Sequence, residues 1–258
     1  MLPIHALYDL LAGNSPASIE SIGFSPALRV LVLAPHPDDF DAIAITLRYL
    51  QARGNEIHLA VLSGGSKGVE DDYAIPPPSW EQKAQLREQE QLNSCAFFGL
   101  SPARINFLHL PEAADGELAQ DSSNQERVRN QIEQTTPDIL FLPSGKDINT
   151  GHQRTYDMTR KAVQHLGKPL LALYNRDAKT IDFRTDLYTG FNQTEADWKR
   201  SLLRYHDTQH ARNIAVRGHG FDDRILNFNQ MLANQLGLES PYAETFQAEL
   251  FNADQQQP

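Results

Sequence analysis

Residues 29–53 read RVLVLAPHPDDFDAIAITLRYLQAR, and Gly54 follows. After Arg29 the first stretch is wholly aliphatic and rich in Val and Leu, the composition of a parallel strand buried on both faces. Pro35-His36-Pro37-Asp38-Asp39 then breaks the run, and Pro37 restricts how the chain can turn there. From Asp41 onward, Ile43, Leu47 and Leu50 recur at helical spacing, with Gly54 placed to end the helix. A buried strand, a sharp turn full of ionisable groups and a helix together open an alternating α/β pattern.

The alternation continues on the C-terminal side. A second strand is expected over 57–62, ending at Ser63-Gly64-Gly65. Residues 66–79 form a long loop with three consecutive prolines, Pro76 to Pro78, a length that in compact domains marks binding loops or lids. A helix over 80–98 stops at Gly99, followed by a strand over 105–110, a helix over 124–134, a strand over 138–142, a helix over 153–166 and a strand over 169–174. Beyond Tyr174 the pattern loosens. A strand over 180–187 and helices over 195–205 and 221–236 are expected there. The fold class is therefore α/β: a Rossmann-like, mainly parallel open sheet with helices on both faces, plus a smaller C-terminal α/β region. It reads as one domain over 1–258, with residues 1–175 as the core and 176–250 as an extension completing the site. The Gln255 to Gln257 run is expected to be a frayed end.

A chain of 258 residues can bury a sizeable core without staples. Its formal net charge of -10 weighs against binding to nucleic acid or to an anionic membrane, without excluding a locally basic pocket. The single cysteine, Cys95, cannot form an internal disulfide and suits a reducing compartment. There is no signal-peptide pattern and no apolar run near the ~20 residues of a membrane helix. These features set the expectation of a cytoplasmic protein without a membrane span, acting on a small molecule, with a homo-oligomer possible.

Open α/β sheets bind ligands beyond the carboxyl ends of their strands. Here those ends carry His36 to Asp39, Ser63 to Gly65, His109, and the stretch from Pro143 to His152. Adjacent carboxylates beside an imidazole repel one another, and a bound dication would relieve that repulsion. Histidine and carboxylate are both zinc ligands, and a hydrolytic zinc needs three of them with one position open. His152 is the leading third ligand, since it follows the fourth strand. Against this, Asp39 and Asp41 also fit a purely structural role as helix N-caps. A nucleotide-binding Rossmann fold is disfavoured. No Gly-x-Gly-x-x-Gly follows the first strand, and the carboxylates of the turn would repel a pyrophosphate.

VLAPHPDDFDAIAI, residues 32–45, resembles the opening motif of the LmbE-like family, which includes the N-acetylglucosaminyl-phosphatidylinositol de-N-acetylases. Further elements agree in order. Arg87-Glu88-Gln89-Glu90 with Phe98-Gly99-Leu100 resembles the family's Arg-x-x-Glu helix and its Leu-Gly-Val end. Pro137 to Leu140 with His152 resembles its second metal-ligand region. Lys199 with His206-Asp207-Thr208-Gln209 resembles its Lys-x6-His-x-Ser-Gln element, and Tyr242 to Phe246 its Ala-Glu-x-Phe. The resemblance implies a zinc ion, or another exchangeable divalent metal, on His36, Asp39 and His152. It implies Asp38 as general base, and removal of an acetyl group from an N-acetylglucosamine-type amino sugar or its conjugate.

The chain departs from the pattern at three positions. Phe40 stands where the family has Glu, and Asn149 and Gly151 replace the first His and the Asp of His-Pro-Asp-His. An Asn amide can still donate to an oxyanion but cannot transfer a proton. Asn149 is accordingly a candidate oxyanion donor, His206 a candidate acid or oxyanion donor (or a core or capping His), and Arg87 a candidate substrate contact. For Arg87 the alternative is a helical pair with Glu88 or Glu90. Trp80 and Tyr73 either stack on a sugar ring or pack the loop. His58, His109, His165, His210 and His219 are read as incidental. The alternative to an active deacetylase is a catalytically weak or altered metal-containing binding protein of the same fold.

Overall fold

The structure is a computed structural model that describes residues 2–13, 15–164 and 166–252; the Gln255 to Gln257 run and His165 lie outside them. In chain order the elements begin with α1 (Ile4–Ala12), β1 (Ala17–Ser18), β2 (Arg29–Ala34), α2 (Ala44–Ala52), β3 (Glu56–Val61) and α3 (Trp80–Phe98). Next come β4 (Ile105–Phe107), α4 (Ser122–Thr135), β5 (Ile139–Pro143), α5 (Thr150–Val163) and β6 (Leu170–Asn175). The chain continues with β7 (Leu187–Phe191), α6 (Gln193–Leu203), α7 (Asp207–Arg217), α8 (Phe221–Leu236) and β8 (Tyr242–Phe251). Among the described residues no helix is long and apolar enough to cross a membrane.

All eight strands form one sheet in the order β1-β7-β8-β6-β5-β2-β3-β4. Every pairing is parallel except those of β8, which runs antiparallel to β6 and β7. The strands of the C-terminal α/β region thus continue the same sheet. Strand β2 explains its own aliphatic run. Val30, Val32 and Ala34 join Leu47 and Leu50 on one face, while Leu31 and Leu33 join Val128, Ile132 and Met158 on the other. Strand alternation therefore feeds two cores at once.

From β2 the chain steps outward to β3 and β4, then returns to β5 on the opposite side of β2. The crevice beyond the ends of β2 and β5 is thus a topological switch point, the place where such sheets take ligands. Helix α3 starts on a capping box between Ser79 and Gln82 and runs to Gly99. Asn149 caps α5, accepting a bond from the His152 backbone N–H.

The expected elements through β6 are present, with ends moved by a few residues. The expected strand over 180–187 is not formed. Thr180 makes only an isolated bridge to Asp147, and the strand begins at Leu187. The reason is local, because Asp177 closes a turn there. Its carboxylate accepts from the Lys179 N–H, and its own N–H donates to the Thr180 hydroxyl. Helices α1 and α7 and strand β8 were not expected.

Candidate metal centre and active site

His36, Asp39 and His152 present ligand atoms that all lie within 4.8 Å of one another. His36 and Asp39 sit on the turn after β2, and His152 in the first turn of α5 after β5, so the switch point brings the three together. The His36 Nδ1 is 3.5 Å from one Asp39 oxygen, and the His152 Nε2 is 3.5 Å from the other. The His36 backbone N–H donates to Asp39 Oδ2 at 2.9 Å and so orients that carboxylate. Behind His152, Nδ1 lies 2.9 Å from Asp147 Oδ2. An ionised carboxylate only accepts, so Nδ1 donates its proton to Asp147, and Nε2 is the nitrogen turned toward Asp39 and available to a metal.

Burial works against a charge on His152, yet Asp39 and Asp147 together raise its pKa to about 9. Burial likewise opposes ionisation of Asp39, but the facing His152 and the bonds from His36 hold it well below the usual carboxylate range. Two imidazole nitrogens and an ionised carboxylate, with carboxylates behind the imidazoles, form a donor set that fits zinc.

Asp38 has a backbone φ of 106°, a strained conformation for a non-glycine residue. Two residues of α3 hold it there. The Gln91 Oε1 accepts from the Asp38 N–H at 2.8 Å, and the Arg87 Nη2 donates to Asp38 Oδ2 at 2.8 Å. Burial pushes the Asp38 carboxyl up from its ordinary value, and Arg87 opposes that. Arg87 is only 3% exposed and also donates to the carbonyls of Gly65 and Pro37. A Cβ at Gly65 would stand 2.2 Å from Arg87 Nη1, so the glycine after β3 makes room for the guanidinium. Arg87 is therefore paired with Asp38 rather than with Glu88 or Glu90. Glu90 instead accepts from the N–H and hydroxyl of Thr208.

His36, Asp38, Asp39, Arg87, Asn149 and His152 all line one cavity of about 310 Å³. His206 is not among its lining residues. It is fully buried, and its Nε2 donates to Asp41 Oδ2 at 2.8 Å. Asp41 also accepts from Gln91 Nε2 at 2.9 Å, so it braces the turn from beneath and is no helix N-cap. Phe40 points into the core against Phe98, where a carboxylate would find no partner. Lys199 and Glu244 form a fully buried pair at 2.6 Å. Glu244 also accepts from the N–H groups of Ile45 and Thr46, which ties β8 to the segment after the motif turn.

Trp80 donates to Glu112 and lines a second cavity that shares Lys67 and Gly116 with the main one, while Tyr73 donates to Asp207; neither lines the main cavity. His109 is exposed and lies 3.7 Å from Glu88. Gln91, Asp147 and Glu117 belong to the site but were not expected from the sequence. Asp147, five residues before His152, was within reach of a search for carboxylates near the ligand. Glu117 lies in an irregular stretch without any pattern.

A turn carrying candidate metal ligands at a switch point, in a cavity also lined by residues of the C-terminal region, defines a class of chain, and sequence comparison supplies its family. The chain belongs to the PIG-L family, described as GlcNAc-PI de-N-acetylase, whose sequence model matches residues 31–163. No curated protein matches. Among solved structures, the N,N'-diacetylchitobiose deacetylase from Pyrococcus horikoshii is 17% identical with a TM-score of 0.70, over 86% of this chain and 84% of that one. A zinc-inhibited form of teicoplanin deacetylase Orf2 is 12% identical with a TM-score of 0.65, over 86% and 97%. The 4-carboxy-2-hydroxymuconate hydratase GalB from Pseudomonas putida KT2440 is 17% identical with a TM-score of 0.64, over 86% and 95%. These likenesses establish the fold, and the presence of a hydratase among them means that the chemistry must be argued from the site.

Proposed function

We propose that this chain is a metal-dependent amide hydrolase that removes the acetyl group from an N-acetylglucosamine-type amino sugar or its conjugate. The observation that carries the reading is the grouping of His36, Asp39 and His152 beside Asp38 in one cavity. Family membership supports it. The metal is zinc, or another divalent ion exchanging with it. When bound, it supplies a Lewis acid for the acetyl carbonyl and lowers the pKa of water.

The chain's own groups do the rest. Arg87 restrains one oxygen of Asp38, a residue of the cavity lining, and leaves the other free of that bond. That free oxygen takes the proton of the attacking water and returns it to the departing amine. The Asn149 carbonyl is occupied in capping α5, which leaves its amide nitrogen to donate to the developing oxyanion. His206 acts through Asp41 as a support of the turn.

The cavity lining gathers basic side chains although the chain is acidic overall. Lys179, Arg217 and Arg224 line it. Arg224 faces Asp177 at 3.5 Å, while Lys179 and Arg217 make no ion pair among the described residues. This surplus of positive charge supports a conjugate that carries an acidic group.

The test is release of free amine from N-acetylglucosamine, its 1-phosphate and neutral glycosides, with the protein metal-stripped or zinc-loaded. Metal-dependent amine release supports the reading. Tight zinc binding without amine release from any of them would leave a metal-containing binding protein instead.

A further inference from the structure

The two candidate histidine ligands are built alike. Each turns one nitrogen toward Asp39, at 3.5 Å in both cases. Each turns its other nitrogen toward a second carboxylate. For His152 that carboxylate is Asp147. For His36 it is Glu117, whose Oε2 lies 3.8 Å from His36 Nε2, an ion-pair separation. Glu117 stands outside the group of mutually close ligand atoms, so its place is behind the ligand and not on the metal.

Glu117 is firmly set. Its other oxygen accepts from Lys67 Nζ at 2.9 Å. Its carbonyl accepts from the Ala113 N–H at 2.7 Å, and its own N–H donates to Asp115 at 3.1 Å. Arg154 on α5 in turn holds Asp115. The loop is thereby fastened to the helix that carries His152.

Gly151 supplies the second observation. A Cβ there would stand 2.7 Å from Glu117 Oε2 and 3.0 Å from His36 Nε2. The space that a side chain at 151 would need is occupied by the Glu117 carboxylate and the His36 ring. The carboxylate reaches this spot from the loop before α4, and position 151 is a glycine to admit it.

We infer that Glu117 is a positioning residue for metal binding: its carboxylate, at ion-pair separation from His36 Nε2, favours the proton on that nitrogen and so keeps the Nδ1 lone pair directed at the metal position. Removing such a carboxylate partner of a ligand histidine typically weakens metal binding ~10–100-fold. The inference rests on reading His36, Asp39 and His152 as the metal site.

The experiment is zinc affinity by competition with a chromophoric chelator, on the whole chain, for the wild type, His152→Ala, Glu117→Ala, Glu117→Gln and Gly151→Ala. Glu117→Ala is expected to weaken zinc ~10–100-fold. Glu117→Gln keeps an acceptor oxygen and should restore much of that loss. Gly151→Ala evicts the carboxylate and should weaken zinc comparably to Glu117→Ala. Thermal unfolding of the metal-stripped proteins should stay close to wild type for both Glu117 variants. Glu117→Ala within twofold of wild type overturns the role. So does an affinity for Glu117→Gln no better than that of Glu117→Ala, or full affinity in Gly151→Ala. If wild type and His152→Ala bind zinc equally, the metal site itself fails. If they differ while Glu117→Ala matches wild type, only the role of Glu117 fails.

Discussion

Nδ1 of His152 and Oδ2 of Asp147 lie 2.9 Å apart, and this bond decides which ring nitrogen faces Asp39. The Asp147 side chain is 1% exposed, and its other oxygen accepts from the Asn149 N–H at 2.7 Å. One buried carboxylate thus sets both the tautomer of a ligand candidate and the start of α5. Asp147→Ala should lower zinc affinity ~10–100-fold while leaving all three ligand side chains in place. His152→Ala should abolish stoichiometric binding. Elemental analysis after gel filtration separates the two, and unchanged metal content in His152→Ala removes that residue from the site.

Asp38 is held in an unfavourable backbone conformation by Gln91 and Arg87, and it faces the cavity. Asp38→Asn keeps the shape and loses the base. It should retain metal and fold but lower kcat by ~100-fold or more. Near-normal turnover by this variant, measured as amine release under saturating substrate, would end the assignment.

Asn149 lines the cavity, but its side chain also caps α5. Asn149→Ala therefore removes two contributions. Loss of an oxyanion donor costs ~100-fold in kcat, and loss of the cap costs about 1 kcal/mol of stability. Asn149→Asp is the separating control, since it preserves the cap and forfeits the donor. It should fold as stably as wild type yet be as slow as Asn149→Ala. A fast Asn149→Asp enzyme would show that the amide donates nothing to the reaction.

Lys179 and Arg217 line the cavity and make no ion pair among the described residues. Replacing both with Gln should raise KM for N-acetylglucosamine 1-phosphate about tenfold, as expected when ~1.4 kcal/mol of charge pairing is lost. KM for a neutral glycoside and kcat for either substrate should hardly change. Equal effects on both substrates would remove the acidic group from the substrate reading.

Lys199 and Glu244 are both fully buried, so neither charge is hydrated by solvent. Lys199→Met leaves the Glu244 charge facing only the N–H groups of Ile45 and Thr46 and the hydroxyl of Thr46. The cost should be about 3–5 kcal/mol in denaturant unfolding. The double variant Lys199→Met/Glu244→Gln should recover part of it. A single variant as stable as wild type would mean that the pair is dispensable.

The sequence showed the half of the fold whose strands are aliphatic. β2, β3, β5 and β6 are covered on both faces, and their residues state it directly. β8 was hidden because Glu244, Thr245, Gln247 and Glu249 interrupt its apolar residues. Their partners lie far away in the chain: Lys199 for Glu244 and Arg160 for Glu249. Among site residues, His36, Asp38, Asp39 and His152 stood at strand ends and were legible from position and motif. His206 was legible as a motif residue but not as a buried support, because Asp41, its partner, lies 165 residues away. Glu117 had no signature at all. Its placement depends on a loop geometry set by Lys67, Asp115 and Arg154.

β8, the last strand among the described residues, is not at the edge of the sheet but inside it, between β6 and β7. During synthesis the ribosome must therefore release residues 242–251 before β7 can be joined to the rest of the sheet. Until then the Lys199 ammonium has no counter-charge, and the N–H groups of Ile45 and Thr46 lack their acceptor. The nascent chain can assemble β2 to β6 early, as N-terminal segments do, yet the segment after the motif turn gains its Glu244 acceptor only once β8 is in place. The two members of that buried pair, Lys199 and Glu244, thus meet only once β8 has entered the sheet between β6 and β7.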